Sequence, residues 1–241
     1  MKRNTVKLQG FNVDSFTFDE ALDYICSNPG IIITINPEMI QTAKKDTSLA
    51  DIIGKAQLVI PDGIGVQIGL KILGHNVKRI AGIEFARKLI DRYSETSEPI
   101  AFVGAKPDII KKAVENVKKG NQAANIVYVQ DGYFSDEEKV LSELVNSGAK
   151  LVLAALGSPK QELFISKAQS LMPEAVLIGI GGSFDVWSGV VNRAPELYQK
   201  LGLEWLYRTV KEPKRFKRIF PALPLFVIKV LQEKFFGEKK C

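Results

Sequence analysis

Six times along this chain a short apolar run ends in glycine, proline or a polar residue and gives way to a helical pattern. The runs are Ile31 to Ile35, Leu58 to Ile60, Pro99 to Gly104, Asn125 to Val129, Lys150 to Leu156 and Ala175 to Ile180. Runs this short, rich in β-branched residues and apolar at successive positions, suit strands covered on both faces. Helical stretches of about ten residues between them act as crossovers, and crossovers make neighbouring strands parallel. The alternation predicts an α/β domain, a doubly wound, mostly parallel, Rossmann-like sheet with helices on both faces. Local signals place the joints. Thr17-Phe-Asp-Glu20 and Ser135-Asp-Glu-Glu138 read as capping boxes. Pro37 and Pro159 suit the first positions of helices.

Parallel strands deliver the residues that follow them to one edge of the sheet, where open α/β sheets bind ligands. Thr34, Asn36, Asp62, Gly104, Tyr133, Gln161 and Asp185 fall at such ends. The most pointed junction is Leu58-Val-Ile-Pro-Asp62-Gly-Ile-Gly65. Pro61 is expected to stop the strand ladder where Asp62 begins, with a helix following over residues 64–73. From spacing alone Asp62 reads equally as a turn or N-cap aspartate and as a functional carboxylate. The Gly63-Ile-Gly65-Val-Gln-Ile-Gly69 spacing invites a dinucleotide, yet an acidic side chain directly before it would repel a pyrophosphate. Glu84, at about the distance of a ribose contact, is expected inside a helix rather than at a strand end.

The composition narrows the chemistry further. No Asp-x-Asp occurs and the one histidine, His75, falls in a predicted loop, so no metal-ligating cluster is legible. Ser158 has no histidine partner that would make it a nucleophile. Cys26 and Cys241 form neither a disulfide framework nor a metal spacing, which fits a reducing, cytoplasmic compartment. The first residues lack the apolar core of a signal peptide, and no stretch offers the ~18 apolar residues of a membrane span.

The net charge of +6 is unevenly placed. Residues 200–241 carry 11 Lys or Arg against 4 Glu, whereas the residues before them carry 22 against 23. This asymmetry points to an anionic partner for the tail, nucleic acid or a lipid surface. Pro221 and Pro224 are expected to break its apolar stretch from Ile219 to Leu231. Basic residues beside Phe220, Phe226, Phe235 and Phe236 suggest a helix lying in a membrane interface. The alternative is a helix packed on the core. The expected organisation is an α/β domain over residues 1–200 and a basic, amphipathic appendage over residues 201–241.

Taken together, Thr34-Ile-Asn36-Pro37-Glu38, Pro61-Asp62-Gly63-Ile-Gly65, Arg79-Ile-Ala-Gly82, Asp131-Gly-Tyr-Phe134, Gly157-Ser-Pro-Lys-Gln-Glu162, Gly181-Gly-Ser-Phe-Asp185, Arg193-Ala-Pro195 and Gly202-Leu-Glu-Trp-Leu-Tyr-Arg208 resemble the WecG/TagA/CpsF family of bacterial glycosyltransferases. The motifs run in order through nearly the whole chain. The resemblance implies an inverting, metal-independent and cofactor-free enzyme of teichoic acid or related polymer synthesis. It would move a sugar, in well-known members N-acetylmannosamine, from a UDP-sugar donor to undecaprenyl-diphosphate-linked N-acetylglucosamine (GlcNAc). It further implies Asp62 as general base, with Thr34, Asn36, Arg79 and Gln161 lining the pocket. Arg208, Arg215 and Arg218 would reach over it from an appendage that meets the membrane. Gly104, Tyr133, Gly157, Lys160, Gly182 and Asp185 are candidates for the nucleotide sugar. The implied location is cytoplasmic, peripheral on the inner face of the cell membrane against its anionic surface, with no nucleic-acid partner and with self-association as a homo-oligomer off the membrane. Two other classes stay open from the residues themselves. One is a non-catalytic nucleotide-binding protein with a nucleic-acid-binding tail, the other a nicotinamide-dependent oxidoreductase using the glycine-rich turn.

Overall fold

The structure, a computed structural model, describes residues 2–200, 202–211 and 216–237, the side chains of Lys200, Arg208 and residues 216–221 excepted. The chain opens with an antiparallel hairpin, β1 (Thr5–Leu8) and β2 (Phe11–Asp14). It continues through α1 (Phe18–Ser27), β3 (Ile31–Ile35), α2 (Pro37–Ala43), α3 (Thr47–Lys55), β4 (Leu58–Pro61), α4 (Ile64–Ile72) and α5 (Gly82–Glu95). Next come β5 (Ile100–Gly104), α6 (Pro107–Gly120), β6 (Ile126–Gln130), α7 (Glu137–Asn146), β7 (Leu151–Ala155), α8 (Lys160–Leu171) and β8 (Val176–Gly179). Then follow α9 (Ser183–Trp187), α10 (Glu196–Lys200), α11 (Glu204–Lys211) and α12 (Phe216–Phe236).

Strands β3 to β8 form one parallel sheet in the order β4-β3-β8-β7-β5-β6. Alternation along each strand assigns its side chains to one of two apolar layers, as a period of two requires. Ile31, Ile33 and Ile35 with Val59, Val152 and Leu177 meet α2, α3, α4, α7, α8 and α12. Ile32, Leu58, Ile60, Phe102, Leu153 and Ile178 meet α1, α5, α6 and α9. The doubly wound α/β architecture read from the sequence is therefore present.

Four local expectations differ from the structure. The capping box at Thr17 forms, with its hydroxyl and Glu20 exchanging bonds, but at the second site Asp136 is the cap. Its carboxylate accepts from the Lys139 N–H at 2.9 Å, so α7 starts one residue later than a cap at Ser135 would set it. Pro159 stands just before α8, not at its first position. Pro61 does not end the ladder, because the Asp62 N–H donates to the Ile35 carbonyl at 2.9 Å. A proline is tolerated there because β4 is the outermost strand, so the missing donor interrupts no ladder within the sheet. Elsewhere on β4 the buried Asp14 accepts the Val59 N–H at 2.7 Å while paired with Arg3.

The fourth difference concerns the tail. Helix α12 runs through both Pro221 and Pro224. Each proline removes one intrahelical bond, and packing offsets the loss. Phe226 and Val230 are buried in the layer with α2 and α4. Phe226 is seated where Gly69 leaves room, since a Cβ there would lie 2.9 Å from its ring. A polar chain ties the same helix to the hairpin. Lys229 donates to Gln41, Gln41 to Gln9, and the Gln9 amide to the Phe226 carbonyl at 3.0 Å. The packed-helix alternative thus holds for one stripe of α12. Its other side leaves Leu225, Ile228, Leu231, Phe235 and Phe236 exposed. Among the described residues no helix is long and apolar enough to cross a membrane.

Candidate active site

Strands β4, β3 and β8 end side by side, and above them opens a cavity of about 580 Å³. Thr34 and Asn36 reach it from the end of β3, Asp62 from just after β4, Ile180 from just after β8, and Ser183 from α9. Arg79 enters from the loop before α5, and Glu204 and Trp205 from α11. The opposite wall is apolar, built by Ile68 and Ile72 of α4 with Leu223, Phe226 and Val227 of α12. The site is therefore polar at the sheet edge and apolar towards the tail.

Asp62 continues the parity of Leu58 and Ile60, and so faces the α5 side. There the carboxylate accepts backbone N–H groups of Gly63, at 2.8 Å, and of Gly82 in the first turn of α5. Gly63 adopts φ +80°, a left-handed turn that glycine takes without steric cost. Gly82 is glycine for space, because a Cβ would stand 2.9 Å from Thr34 Cγ2 and 3.4 Å from Asp62 Oδ2. Burial pushes the Asp62 carboxyl above the usual aspartate range. The charge of Arg79 and the two N–H groups pull it back, and the Glu204 carboxylate adds to the rise. A half-buried carboxyl beside a guanidinium, with a raised pKa, is equipped to take a proton.

Asn36 caps α2, its side-chain oxygen accepting from the Met39 N–H at 2.9 Å. Arg79 lies 3.5 Å from Glu204 Oε2 and donates to the Gln199 carbonyl at 3.4 Å. Arg193 binds Glu204 Oε1 at 3.0 Å and Glu84 at 2.7 Å. Glu84 is indeed within a helix, and it is engaged by this arginine.

The structure brings Thr34, Asn36, Asp62 and Arg79 together and sets the other sequence candidates apart from them. Gln161 is buried, with its amide donating to Glu162 at 2.8 Å and accepting from the Gly181 N–H at 3.1 Å. It supports the β8 loop from beneath rather than lining the cavity. Glu162 is buried too, which pushes its carboxyl up against the bonds from Gln161 and Ser158. Gly104, Tyr133, Gly157 and Lys160 stand at the ends of β5, β6 and β7, on the other half of the sheet edge. Gly104 packs on the Ala155 backbone, and Tyr133 is exposed. Gly182 and Asp185 are half-buried, in the turn before α9 and in α9. Arg208 lies in α11 and Arg218 in α12, but their side chains, and Arg215 altogether, lie outside the described residues.

Residues 6–240 match the model of the glycosyl transferase WecG/TagA/CpsF family. The chain belongs to that family. As a WecG/TagA/CpsF member it is a glycosyltransferase. Curated relatives include the N-acetylglucosaminyldiphosphoundecaprenol N-acetyl-beta-D-mannosaminyltransferase of Bacillus spizizenii, 36% identical over 220 residues, covering 90% of this chain and 85% of the relative. The protein of the same name in Bacillus subtilis is 36% identical over 224 residues, covering 92% of this chain and 87% of the relative. Within this family member the sequence reading passed over Gly82, Arg193 and Glu204 as site residues. All three sit in motifs quoted above, but nothing in the sequence singles out Glu204, because its pairing with Arg79 and Arg193 is a tertiary contact.

Proposed function

We infer that this glycosyltransferase moves N-acetyl-D-mannosamine from UDP to undecaprenyl-diphosphate-linked GlcNAc, with inversion and without a metal ion, in the synthesis of teichoic acid or a related cell-surface polymer. The observation that carries the reading is that Asp62 and Arg79, whose charge acts on the Asp62 carboxyl, both line the polar end of a cavity whose other wall is apolar. The relatives' names supply the sugar and the lipid-linked acceptor. An apolar wall from α4 and α12 suits an acceptor that carries a lipid.

The chemistry follows from one base and one fixed cation. The acceptor hydroxyl oxygen attacks the anomeric carbon from the face opposite the diphosphate. The new carbon–oxygen bond forms as the bond to UDP breaks, the hydroxyl proton passes to Asp62, and UDP leaves with the bonding electrons. A single in-line displacement inverts the anomeric centre. Arg79 stabilises the charge gathering on the leaving diphosphate, as a guanidinium fork does for phosphate oxygens.

A panel of UDP-sugars offered with a short-chain lipid-diphosphate GlcNAc acceptor tests the reading. UDP-N-acetylmannosamine is expected to be the best donor, with a product of inverted anomeric configuration and a rate unchanged by EDTA. Preference for the uronic acid or for glucose would move the enzyme to another donor within the same fold, because one or two side chains decide among such rings. No transfer from any donor would overturn the reading.

For location we place the enzyme on the inner face of the cell membrane, held through the exposed side of α12 and the basic residues around it. Phe235 is 71% and Phe236 79% exposed. Replacing both with Ser is expected to reduce the affinity for anionic liposomes, read by flotation, by about a hundred-fold, on the order of 1.5 kcal/mol per aromatic side chain, and to leave thermal stability unchanged. Undiminished flotation would remove this surface from membrane binding.

A further inference from the structure

Around the cavity two arginines share one carboxylate, and they hold it unequally. Arg193 grips Glu204 at 3.0 Å through Nε and braces its other end on Glu84 of α5 at 2.7 Å. Arg79, by contrast, has only long contacts among the described residues, 3.5 Å to the second oxygen of Glu204 and 3.4 Å to the Gln199 carbonyl. Side chains of Arg79 and Glu204 are each only 16% exposed, so their charges are weakly screened. A guanidinium with five donors and no short acceptor among the described residues is ready to take a better one, and two phosphate oxygens are better than a carboxylate edge 3.5 Å away.

We propose that Glu204 is a placeholder anion, which occupies Arg79 until the diphosphate of the donor takes its place and which then, still gripped by Arg193, repels that diphosphate and promotes release of UDP. The proposal rests on the reading of this cavity as the donor site. Its physical content is a competition for one cation. Arg193 keeps the Glu204 carboxylate from swinging fully onto Arg79 and from leaving the site when phosphate arrives. Glu204 is a positioning residue in this scheme, since it acts through Arg79 and touches no reacting atom.

The test is calorimetric binding of UDP, and of uridine as a probe without phosphate, to the parent chain, Glu204→Gln and Arg193→Gln. Glu204→Gln frees Arg79 and is expected to bind UDP about five-fold tighter, the value of a partly exposed ion pair, with uridine affinity unchanged. Arg193→Gln releases the carboxylate onto Arg79, so UDP is expected to bind several-fold weaker. Opposite signs distinguish charge competition from a structural role, because loosening α11 would weaken both variants alike. Should Glu204→Gln fail to fold, Arg193→Gln decides alone: weaker UDP with unchanged uridine supports the proposal, while unchanged or tighter UDP overturns it. Unchanged or weaker UDP binding by a folded Glu204→Gln also overturns it and leaves the donor-site reading standing. A parent chain that binds no UDP overturns both.

Discussion

Asp62→Asn is expected to lose about 10²- to 10⁴-fold in turnover, the usual contribution of a general base, while keeping its affinity for UDP and unfolding at a higher temperature near neutral pH. The loss follows from the proton that the acceptor hydroxyl must shed. The stability gain follows from the direction of the Asp62 pKa. Burial raises it above the unfolded value, so the folded state favours the neutral acid. Stability from such a group is complete below its unfolded pKa and is lost as pH rises through the folded one. At neutral pH the ionised carboxylate therefore weighs against the fold, and the neutral amide does not. The gain should vanish in acid, where Asp62 is protonated in both states. For the parent enzyme the same shift places the acid limb of the rate profile above the pH expected of an ordinary aspartate. Steady-state rates across pH and paired melting curves measure all of this. Near-normal turnover of the variant would take the role of base away from Asp62.

Phe226→Ala should cost about 3 to 5 kcal/mol of stability, the range for deleting a buried aromatic. That is a large part of the roughly 5 to 15 kcal/mol that holds a typical domain together. Phe226 is 1% exposed and fills the space above Gly69, where Leu8 of the hairpin also arrives. Because its ring also forms part of the cavity wall, residual folded enzyme should show a raised KM for the lipid-linked acceptor. Denaturant melts read the first effect and acceptor titration the second. A loss below about 1 kcal/mol, the scale of a surface change, would mean that α12 is only loosely seated. The Phe235 and Phe236 replacement is the matching control on the same helix, acting on binding to lipid and not on folding.

Strand identity was legible because β3, β4, β5, β7 and β8 are apolar on both faces, and such runs have few other solutions. Hairpin β1–β2 was not, since four-residue strands with exposed positions carry little periodic signal. The edge of the sheet that carries the site could be derived from parallel direction alone. Which strand ends meet there could not, because strand order is a tertiary fact. The order β4-β3-β8 gathers Thr34, Asn36 and Asp62 on one half of the edge and leaves Gly104, Tyr133 and Gly157 on the other. Gln161 looked like a pocket residue because polar side chains after a strand usually face solvent or ligand. Its amide instead bonds the Gly181 backbone and Glu162. Glu204 was silent for the opposite reason: a carboxylate on an amphipathic helix is ordinary until Arg79 and Arg193 are seen on either side of it.

The bond between the Gln9 amide and the Phe226 carbonyl joins residues 217 positions apart. During synthesis, then, the ribosome has made both layers of the sheet well before the segment that covers Leu8 and Gly69 emerges. Until α12 arrives, the nascent protein carries an uncovered apolar groove beside its reaction centre, and closure waits on one of the longest-range contacts in the chain, which slows the final step of folding. A chaperone or the membrane surface itself has that interval in which to meet the groove, so maturation of this enzyme is timed by contacts between its hairpin and its last helix.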